Sequence, residues 1–326
     1  MNPAATARLG RTGLQITALS FGTAPIGNLF EAVTDDEALA ALEVAWNSGI
    51  RFFDTAPLYG HGLSEARVGR FLRGIPRDSY VLATKVGRLL RADALPEPGQ
   101  SFVDTPPVNP VFDFSYDATL RSVEESLQRL GVDRVDVLHI HDPDDHYEEA
   151  LNGSYRALDR LRSEGVIGAV GAGMNQWQML SRFAREADFD CFLLAGRYTL
   201  LDQSAFAELM PLAAERGIAV IAGGVFNSGV LADPKPSSRF NYRQAPPELI
   251  EKAKRIAAVC ARHGVPLKTA AVQFPIAHAA VPTVLIGSRS AAQVEENVRG
   301  FATPIPPQLW EELKAEGLLP RVVPTP

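Results

Sequence analysis

Four polar side chains lie at or just beyond the ends of three consecutive apolar segments, a position from which they could act together. The four are Asp54, Tyr59, Lys85 and His141. Taken singly, each has a structural explanation: the aspartate as a turn or cap residue, the tyrosine as a core aromatic, the lysine as a strand-end side chain that reaches water. Found together on adjacent predicted strands, they favour a shared chemical role.

The chemistry open to such a set is proton transfer at a carbonyl or alcohol oxygen. A phenol has a free pKa of about 10, and a nearby ammonium lowers that pKa by favouring the phenolate. An aspartate can hold the lysine in place, and a histidine can hydrogen-bond a substrate oxygen and orient it. Nothing in the set is a good nucleophile and nothing in it supplies an electron pair, so a redox cofactor must do so.

The segment "RVDVLHIHDPDD" (134–145) places His139 and His141 two residues apart, on one face of a strand. Such a pair could hold a metal ion if other strand ends supplied further ligands. The other histidines fall in predicted loops or helices, and we therefore expect no metal site. These are His61, His146, His263 and His278.

The elements that must position these side chains alternate between apolar β-rich segments and longer helical patterns. The predicted strands are 18–22, 51–55, 80–84, 135–140, 167–172, 191–195, 218–222 and 283–287. Helical patterns cover 34–49, 64–74, 117–131, 147–165, 176–187, 204–217, 247–264 and 290–301. Eight strands that each lead into a helix predict an α/β fold of the (β/α)8 TIM-barrel type, with residues 1–326 as one domain.

A doubly wound parallel sheet is the alternative fold, but its signal is weak. The nearest dinucleotide fingerprint, Gly171-Ala-Gly173-Met-Asn-Gln176, lacks the third glycine. Two helix starts fit capping boxes, Thr34 with Glu37 and Ser290 with Gln293. The segment "ARLGRTGLQIT", which alternates around Gly10 and Gly13, predicts an N-terminal β-hairpin that caps one end of the barrel.

Two long insertions follow strand ends, at 88–115 and 226–246. In a barrel this is the face on which active sites are built, so both insertions are candidates for covering the site. We expect His61, Arg88, Asn227 and Ser228 to be candidates for contacts with a polar substrate.

Composition excludes several classes of protein. Among 326 residues the formal net charge is −6, and no run of lysine and arginine occurs, so nucleic acid is not an expected partner. With two cysteines, no apolar signal-peptide segment and no apolar stretch of membrane-spanning length, we expect a cytoplasmic protein without a membrane partner. The oligomeric state is left open.

Several motifs resemble those of the aldo-keto reductase superfamily. They are "RLGRTGLQITALSFGT", "RFFDTAPLYGHGLSEARVGRFL", "VDVLHIHDP" and "VLIGSRSAAQVEENV", which run in order from about residue 8 to residue 300. The resemblance implies a barrel that binds NAD(P)H without a Rossmann domain. It also implies that Asp54, Tyr59, Lys85 and His141 form the catalytic tetrad, with Tyr59 as proton donor in reduction and base in oxidation. His141 is the motif histidine because it directly precedes Asp142-Pro143, and His139 then lies deeper in the barrel.

The same resemblance implies where NADP or NAD binds. Gly287, Ser288 and Arg289 would contact the adenosine phosphate side; Gln293, Glu296 and Asn297 would contact the adenine end. The remaining predicted cofactor contacts are Gly22, Thr23, Asp54 and Asn175, the last at the carboxamide. A forked Arg289 permits a 2′-phosphate, but an arginine can also stack on adenine, so both cofactors stay open.

Three positions depart from the family's common pattern. Gly173-Met174 replaces a Ser-Asn pair, Ala195 replaces a glutamine, and Gly223 replaces the aromatic that stacks on nicotinamide. Phe226 or Tyr198 could take over the stacking role or could be core residues. These departures resemble the subgroup that oxidises L-fucose, D-threo-aldoses or related sugars at C1, with pyridoxal dehydrogenases nearby.

The resemblance therefore implies a small aldose as the expected substrate and a sugar 1-dehydrogenase as the expected activity. Pyridoxal 4-dehydrogenase and general aldehyde reductase are the enzymatic alternatives. A non-catalytic barrel of the potassium-channel-subunit kind and a metal-dependent barrel hydrolase are the alternatives from other classes.

Overall fold

Eight parallel strands close into a barrel in the computed structural model, which describes residues 1–96, 101–241 and 243–326. They are β1 (Leu19–Gly22), β2 (Phe52–Asp54), β3 (Val81–Val86), β4 (Val137–His141), β5 (Ala169–Met174), β6 (Cys191–Ala195), β7 (Ala219–Gly223) and β8 (Thr283–Gly287). Each strand pairs with the next along the chain, and β8 returns to β1 with Leu285 opposite Ser20. The predicted (β/α)8 barrel is confirmed, and the doubly wound alternative is wrong because the sheet has closed.

Helices surround the barrel. They are α1 (Asp35–Asn47), α2 (Leu63–Leu72), α3 (Tyr116–Leu130), α4 (Arg156–Ser163), α5 (Trp177–Glu186), α6 (Leu209–Arg216), α7 (Pro247–Arg262), α8 (Leu267–Gln273), α9 (Ala291–Ala302) and α10 (Pro307–Ala315). A one-turn helix at Tyr147–Glu149 and a π-helical segment at Ala150–Tyr155 lead into α4. The capping box of Thr34 and Glu37 is present at the start of α1, as predicted. No described helix is long and apolar enough to cross a membrane.

Alternation along the strands divides the core into two layers. Side chains such as Phe53, Leu82 and Leu138 point outward and pack under the helices, whereas Phe52 and Val137 point into the barrel. The inner cluster ends at the predicted hairpin, whose strands Thr6–Arg8 and Gln15–Thr17 pair antiparallel. From it, Leu9 and Ile16, both fully buried, close the amino-terminal end of the barrel.

Both insertions contain short strands that the sequence patterns do not predict. Arg88–Arg91 pairs antiparallel with Asn109–Phe112, and Arg239–Phe240 pairs with Arg243–Gln244. The sequence does not reveal these strand pairs because the strands are short and prolines interrupt the first insertion. No alternation of polar and apolar residues is therefore long enough to recognise. The helices α8 and α10 were also missed. Within the insertions, residues 97–100 and 242 lie outside the described residues.

The first insertion folds back over the carboxyl end of the barrel and is attached to the loop after β1. The Phe30 N–H donates to the Ser101 carbonyl at 2.7 Å, and the Val103 N–H donates to the Asn28 carbonyl at 3.1 Å. Asn28 is held in turn by the buried Arg67, which donates to its side-chain oxygen at 3.0 Å. These bonds hold the described part of the insertion, which we call the roof, over part of the barrel mouth.

Candidate active site

Asp54 and Lys85 form an ion pair buried at the carboxyl ends of β2 and β3. The Lys85 ammonium donates to Asp54 Oδ1 at 2.5 Å and to the Thr55 carbonyl at 2.8 Å. Both side chains are at most 2% exposed. Burial raises the pKa of the Asp54 carboxyl, and the adjacent ammonium opposes that rise. Lys85 is the fifth residue of β3 rather than a residue beyond it, so its long side chain reaches the mouth from inside the barrel.

Tyr59 is placed beside this pair by a close approach of two loops. A Cβ added at Gly60, whose φ is +62°, would lie 2.3 Å from the Gly27 carbonyl oxygen, so only glycine allows this contact. The Lys85 ammonium lies 4.6 Å from the centroid of the Tyr59 ring. The His141 ring meets the Tyr59 ring edge-on, with centroids 5.7 Å apart and planes at 87°. The structure thus brings the four predicted tetrad residues together.

His141 is the last residue of β4 and is buried as a neutral imidazole. Burial lowers its pKa well below the ordinary value, and the nearby cations of Lys85 and Arg88 lower it further. A neutral imidazole at this position can donate a hydrogen bond to a substrate oxygen without carrying a charge. It can orient a carbonyl or hydroxyl group toward the Tyr59 phenol.

His139 lies one layer deeper, as predicted from the strand alternation. It is fully buried, and burial together with Lys85 lowers its pKa to about 3. Its Nε2 is 3.9 Å from Asp54 Oδ2, beyond hydrogen-bond distance. Gly171 makes room for the ring, since a Cβ there would lie 2.3 Å from His139 Nδ1. Within the described residues, no group of three or more His, Cys, Asp or Glu side chains could hold a metal ion.

Arg88 and Asp142 add a second charged pair at the mouth. Arg88 Nη2 lies 3.3 Å from Asp142 Oδ2, and its guanidinium lies 4.2 Å from the Phe112 ring centroid. Burial raises the pKa of Asp142 to about 6, with Asp144 adding to the rise and Arg88 opposing it. This carboxyl therefore titrates closer to neutrality than an ordinary aspartate does.

A cavity of about 290 Å³ opens between the tetrad and the roof. Tyr59, Lys85 and His141 line its floor. The rest of its lining includes the polar residues His61, Arg88, Asp142 and Asn175 and the apolar residues Leu29, Leu58, Phe102, Pro110, Met174 and Leu193. A cavity of this size with an acid–base group at its floor suits a small, partly polar molecule.

A second cavity, of about 430 Å³, joins the first at Tyr59 and Leu193. It runs past Gly22, Gly223 and Phe226 to Gly287 at the end of β8, and then to Arg289, Gln293 and Asn297 before and along α9. A Cβ added at Gly287 would lie 2.9 Å from Pro25 Cγ, so a side chain there would collide with the opposite edge of the cleft. Asn297 Oδ1 is buried in the described structure without a hydrogen-bond partner. A glycine at a narrow point, a helix start and an unsatisfied polar atom fit an extended dinucleotide with its phosphates near α9.

The residues predicted to contact the adenosine phosphate side are close together but already interact with each other or with neighbours. Arg289 forms an ion pair with Glu31, across the cleft from α9. The Arg289 N–H donates to Gln293 Oε1 at 3.0 Å. The predicted capping box at α9 is therefore only half formed: Ser290 caps the Gln293 N–H, but the Gln293 side chain serves Arg289 instead of Ser290.

Farther along α9, Asn297 Nδ2 donates to the buried Ser288 Oγ at 3.0 Å. Glu296 forms an ion pair with Lys268 of α8, on the outer side of the cleft. At the other end, Gly22 lines the cleft, whereas Thr23 is fully buried and donates its hydroxyl to the Asp54 carbonyl at 2.9 Å. The Thr23 side chain thus supports the loop that presents Asp54.

The three departures from the family pattern meet where the two cavities join. Asn175 lines the smaller cavity and donates through Nδ2 to the Ala195 carbonyl at 2.8 Å. Ala195 and Gly223 are paired on adjacent strands and leave space beside Leu193. Phe226 lines the larger cavity, so it can still contact a nicotinamide ring there.

Two further candidates have structural roles. Tyr198 is only 1% exposed and packs against Phe274, with ring centroids 5.4 Å apart. Asn227 is buried, accepts a hydrogen bond from Thr199 Oγ1 at 2.7 Å and donates to the Gly196 carbonyl. Tyr198 as a nicotinamide-stacking residue and Asn227 as a substrate contact are therefore corrected, because both side chains are engaged in the core. Ser228 lines the larger cavity.

Some residues around the cavities were missed by sequence reasoning. Phe102 of the roof lies with its ring centroid 6.1 Å from that of Tyr59, and Glu31 and Lys268 hold the cleft residues in ion pairs. Asp142 was also missed. Its position directly after the motif histidine His141 could have predicted that it lies at the cavity.

The sequence profile of the Aldo/keto reductase family matches residues 18–316, which is most of the chain. The chain belongs to this family. A D-threo-aldose 1-dehydrogenase from Pseudomonas sp. is 46% identical over 334 residues, covering 99% of this chain and 98% of that protein. A pyridoxal 4-dehydrogenase from Microbacterium luteolum is 44% identical over 335 residues, covering 95% and 97%.

Among solved structures, an aldo-keto reductase from Bacillus halodurans in its holo form superposes with a TM-score of 0.75. It is 27% identical, and the match covers 98% of each chain. The protein is therefore an oxidoreductase of the aldo-keto reductase class, and the members of this class use nicotinamide cofactors. The resemblance inferred from the motifs is confirmed, including the likeness to aldose and pyridoxal dehydrogenases.

Proposed function

We propose that this protein oxidises a small aldose in its ring form at C1, giving the lactone, with NADP or NAD as the electron acceptor. The observation that carries the proposal is that Tyr59 lies where the smaller, partly polar cavity meets the dinucleotide-sized cleft. The likeness to a D-threo-aldose 1-dehydrogenase supports an aldose over other alcohols. L-Fucose, a 6-deoxy sugar, suits a cavity whose lining is partly polar and partly apolar.

In the proposed reaction, Tyr59 accepts the proton of the C1 hydroxyl. The Lys85 ammonium, 4.6 Å from the ring centroid, stabilises the phenolate that this role requires. Asp54 fixes the ammonium by its 2.5 Å hydrogen bond, and neutral His141 donates to the same substrate oxygen and holds it beside the phenol. A proton held at the phenol oxygen can be returned when the reaction runs in the direction of reduction.

The nicotinamide cofactor, when bound, supplies the two-electron acceptor for the hydrogen on C1. We assign its phosphate side to Gly287, Ser288 and Arg289 and its adenine end to Gln293, Glu296 and Asn297. Gly22, Thr23, Asp54 and Asn175 are assigned to the nicotinamide side, with Thr23 acting through its hydrogen bond to the Asp54 carbonyl. Gly22 and Gly287, which line the cleft without side chains, support these assignments.

Pyridoxal is the second candidate substrate, favoured by the likeness to a pyridoxal 4-dehydrogenase. Pyridoxal closes to a cyclic hemiacetal through its neighbouring hydroxymethyl group, so its oxidation would use the same C–OH chemistry. The polar lining residues His61, Arg88 and Asp142 favour the aldose, because a sugar ring presents more hydroxyl groups than pyridoxal does. A simple aliphatic aldehyde, the substrate of a general aldehyde reductase, has no further hydroxyl groups to pair with these polar residues.

The experiment is a comparison of kcat/KM, followed by NAD(P)H absorbance, for L-fucose, its epimers, pyridoxal and short aliphatic alcohols and aldehydes. We expect the highest value for an L-fucose-like sugar and a steep fall when one ring hydroxyl is inverted, since an inverted hydroxyl leaves buried polar groups unpaired. A higher value for pyridoxal or a simple aldehyde than for every sugar would overturn the substrate proposal. No turnover of any carbonyl or alcohol would point to a non-catalytic barrel.

We further propose that residues 1–326 act as one catalytic domain in the cytoplasm on small molecules alone. Both cysteines, Cys191 and Cys260, are buried free thiols, as expected in a reducing compartment.

A further inference from the structure

We propose that Asp142 is a specificity-determining residue that accepts a hydrogen bond from the C2 hydroxyl of the sugar while His141 donates to the oxygen on C1. This inference rests on the proposed oxidation of an aldose and names the hydroxyl group that the enzyme requires beside the reacting carbon. Both residues line the smaller cavity, and the Asp142 side chain is 32% exposed.

The backbone turns at Asp142 and brings its side chain to the cavity. Successive side chains of β4 alternate, with Ile140 packed under the helices and His141 pointing into the barrel mouth. Continued alternation would send the next side chain outward. Asp142 instead has a φ of +43°, which aspartate adopts more readily than most residues, and its N–H donates to the Gly173 carbonyl at 3.0 Å. Strained backbone that places a charged side chain at a cavity is typical of functional sites.

The Asp142 carboxylate lies beside the ring nitrogen that meets the substrate. His141 Nδ1 is buried without a partner in the described structure, so Nε2 is the nitrogen that can reach the cavity. Asp142 Oδ2 is 3.6 Å from this Nε2, too far for a direct hydrogen bond. The C1 and C2 oxygens of an aldose are on adjacent carbons, close to a hydrogen-bond length apart. One hydrogen bond of about 2.8 Å from each group can therefore connect the two protein atoms to the two sugar oxygens.

The charge of the carboxylate decides which side of the sugar faces it. A carboxylate can only accept hydrogen bonds, and so can the ring oxygen, which is the other neighbour of C1. Those two acceptors repel each other, whereas the C2 hydroxyl donates and gains a charge-assisted bond. Arg88 holds the carboxylate in place, with its Nη2 3.3 Å from Asp142 Oδ2. The site therefore favours the orientation in which C2, and not the ring oxygen, lies beside Asp142.

This recognition should depend on pH because Asp142 changes its charge near neutrality. Burial raises the pKa of its carboxyl to about 6; Asp144 adds to the rise, whereas Arg88 and Lys85 oppose it. The neighbouring His141 has a pKa well below its ordinary value and stays neutral. Above about pH 6 the carboxylate accepts from the C2 hydroxyl, and below it the protonated carboxyl offers only an uncharged, weaker bond. Discrimination for this hydroxyl should therefore weaken as the pH falls through 6.

The test is the ratio of kcat/KM for L-fucose to kcat/KM for 2-deoxy-L-fucose, measured as a function of pH. For the wild type we expect a ratio of at least about ten at alkaline pH, because the analogue lacks a hydrogen bond to a charged group. The ratio should fall severalfold toward acid pH, with a midpoint near pH 6. Titration of the tetrad acts on both sugars and cancels in the ratio. The corresponding ratio for 3-deoxy-L-fucose should not change with pH.

The informative variant is Asp142→Asn. Asparagine has nearly the same shape and tolerates a positive φ, so the variant keeps the turn and removes the negative charge. Its 2-deoxy ratio should fall to the value that the wild type has at acid pH and should no longer depend on pH. Asp145→Asn is the matched control, because Asp145 is an exposed carboxylate of the same loop. It should reproduce the wild-type ratio at every pH.

A second readout does not depend on turnover. L-Fucose cannot react with enzyme saturated with the reduced cofactor, so calorimetry in two buffers of different ionisation enthalpy measures the protons exchanged on binding. A sugar that binds the carboxylate form lowers the pKa of Asp142, and we therefore expect proton release near pH 6. Release should be far smaller with 2-deoxy-L-fucose and with Asp142→Asn. Proton uptake, or equal release for the two sugars, would overturn the inference.

The two proposals fail in different ways. If the wild type oxidises L-fucose but its 2-deoxy ratio is near one, is independent of pH or is unchanged in Asp142→Asn, the inference about Asp142 is wrong and the proposed function stands. If the wild type oxidises no aldose, the proposed function fails and the inference fails with it.

Discussion

The two ends of the barrel treat buried polar groups differently. At the amino-terminal end, Asp190 accepts hydrogen bonds from Arg162 at 2.7 Å and from the Val170 N–H at 2.8 Å. Asp136 does the same for Arg77, at 2.6 Å, and for the Leu82 N–H, at 2.7 Å. Each of these two aspartates directly precedes a strand and bonds to the backbone of the neighbouring strand. These polar groups contribute to the stability of the fold.

At the carboxyl end, buried polar atoms lack partners within the described residues. They include Asp54 Oδ2, His61 Nε2, Arg88 Nε, His141 Nδ1 and Asn297 Oδ1, all on residues that line the two connected cavities. Unpartnered atoms also occur away from the cavities, on the buried residues Ser122, His139, Ser181 and Tyr198. Native proteins rarely leave buried polar atoms unsatisfied, so their presence around the cavities sets this end apart from the paired acids of the other end. Because of this difference, we expect substitutions at the amino-terminal end to change mainly the stability of the fold. Substitutions at the carboxyl end should change mainly binding and turnover.

We expect the largest effect at Lys85, which belongs to the proposed active site and also forms a buried ion pair with Asp54. Lys85→Met should lower the free energy of unfolding by about 3–5 kcal/mol, because the buried Asp54 carboxylate loses its counter-charge. Chemical denaturation measures this loss. The double variant Asp54→Asn/Lys85→Met carries no buried charge at this site and should recover part of it. If the double variant is no more stable than Lys85→Met, the loss comes from packing and not from the stranded carboxylate.

At the amino-terminal end, Asp190→Asn should lower the free energy of unfolding by about 2–3 kcal/mol, since the half-buried Arg162 loses one of its three carboxylate partners and keeps only Asp159 and Asp188. The kcat and KM per folded molecule should stay near the wild-type values, because Asp190 is at the opposite end from Tyr59. A large fall in kcat with little loss of stability would contradict the division between the two ends.

Arg289 tests the rim of the carboxyl end, where charge should affect binding and not folding. If Arg289 contacts the 2′-phosphate, Arg289→Ala should weaken NADP binding by about 1.5–3 kcal/mol and NAD binding much less. Glu31→Gln should strengthen NADP binding, because the Glu31 carboxylate pairs with Arg289 and would compete with a phosphate for its guanidinium. Fluorescence titration with each reduced nucleotide measures both. Equal losses for the two nucleotides would place Arg289 on the adenine instead.

The smallest effect is the pH dependence caused by the buried histidine. The pKa of His139 is lowered to about 3, so between pH 6.5 and pH 3 this imidazole binds a proton in the unfolded chain but stays neutral in the folded protein. Its contribution to stability therefore falls with falling pH, by about 1.4 kcal/mol per pH unit between pH 5.5 and 4.5. Asp142, whose pKa is raised to about 6, acts with the opposite sign between its unfolded pKa and 6.

The variant His139→Gln removes this titration. The slope of unfolding free energy against pH should become shallower by about one proton in the same range, whatever the variant's overall stability. An unchanged slope would show that His139 is not the group that resists protonation.

Sequence patterns sufficed for the barrel and the four central residues because both follow from local rules. Continuous apolar strands mark the barrel, and Asp54, Lys85 and His141 lie at strand ends that must converge. Ion pairs between distant segments were not predictable, because Glu31 and Arg289 are 258 residues apart along the chain. Asn227 likewise resembles a free loop residue in the sequence, because its hydrogen-bond partner Thr199 is 28 residues away along the chain.

The most direct test of the central claim is a side-by-side measurement of L-fucose oxidation by the wild type and Tyr59→Phe, with reduced-cofactor binding measured on the same samples. Tyr59 is assigned the proton that leaves the C1 hydroxyl, and phenylalanine removes that group while keeping the ring that borders both cavities. We predict that kcat falls at least about a hundredfold while cofactor affinity and the unfolding midpoint stay near wild type. A Tyr59→Phe enzyme that keeps more than a few per cent of the wild-type rate would contradict the account.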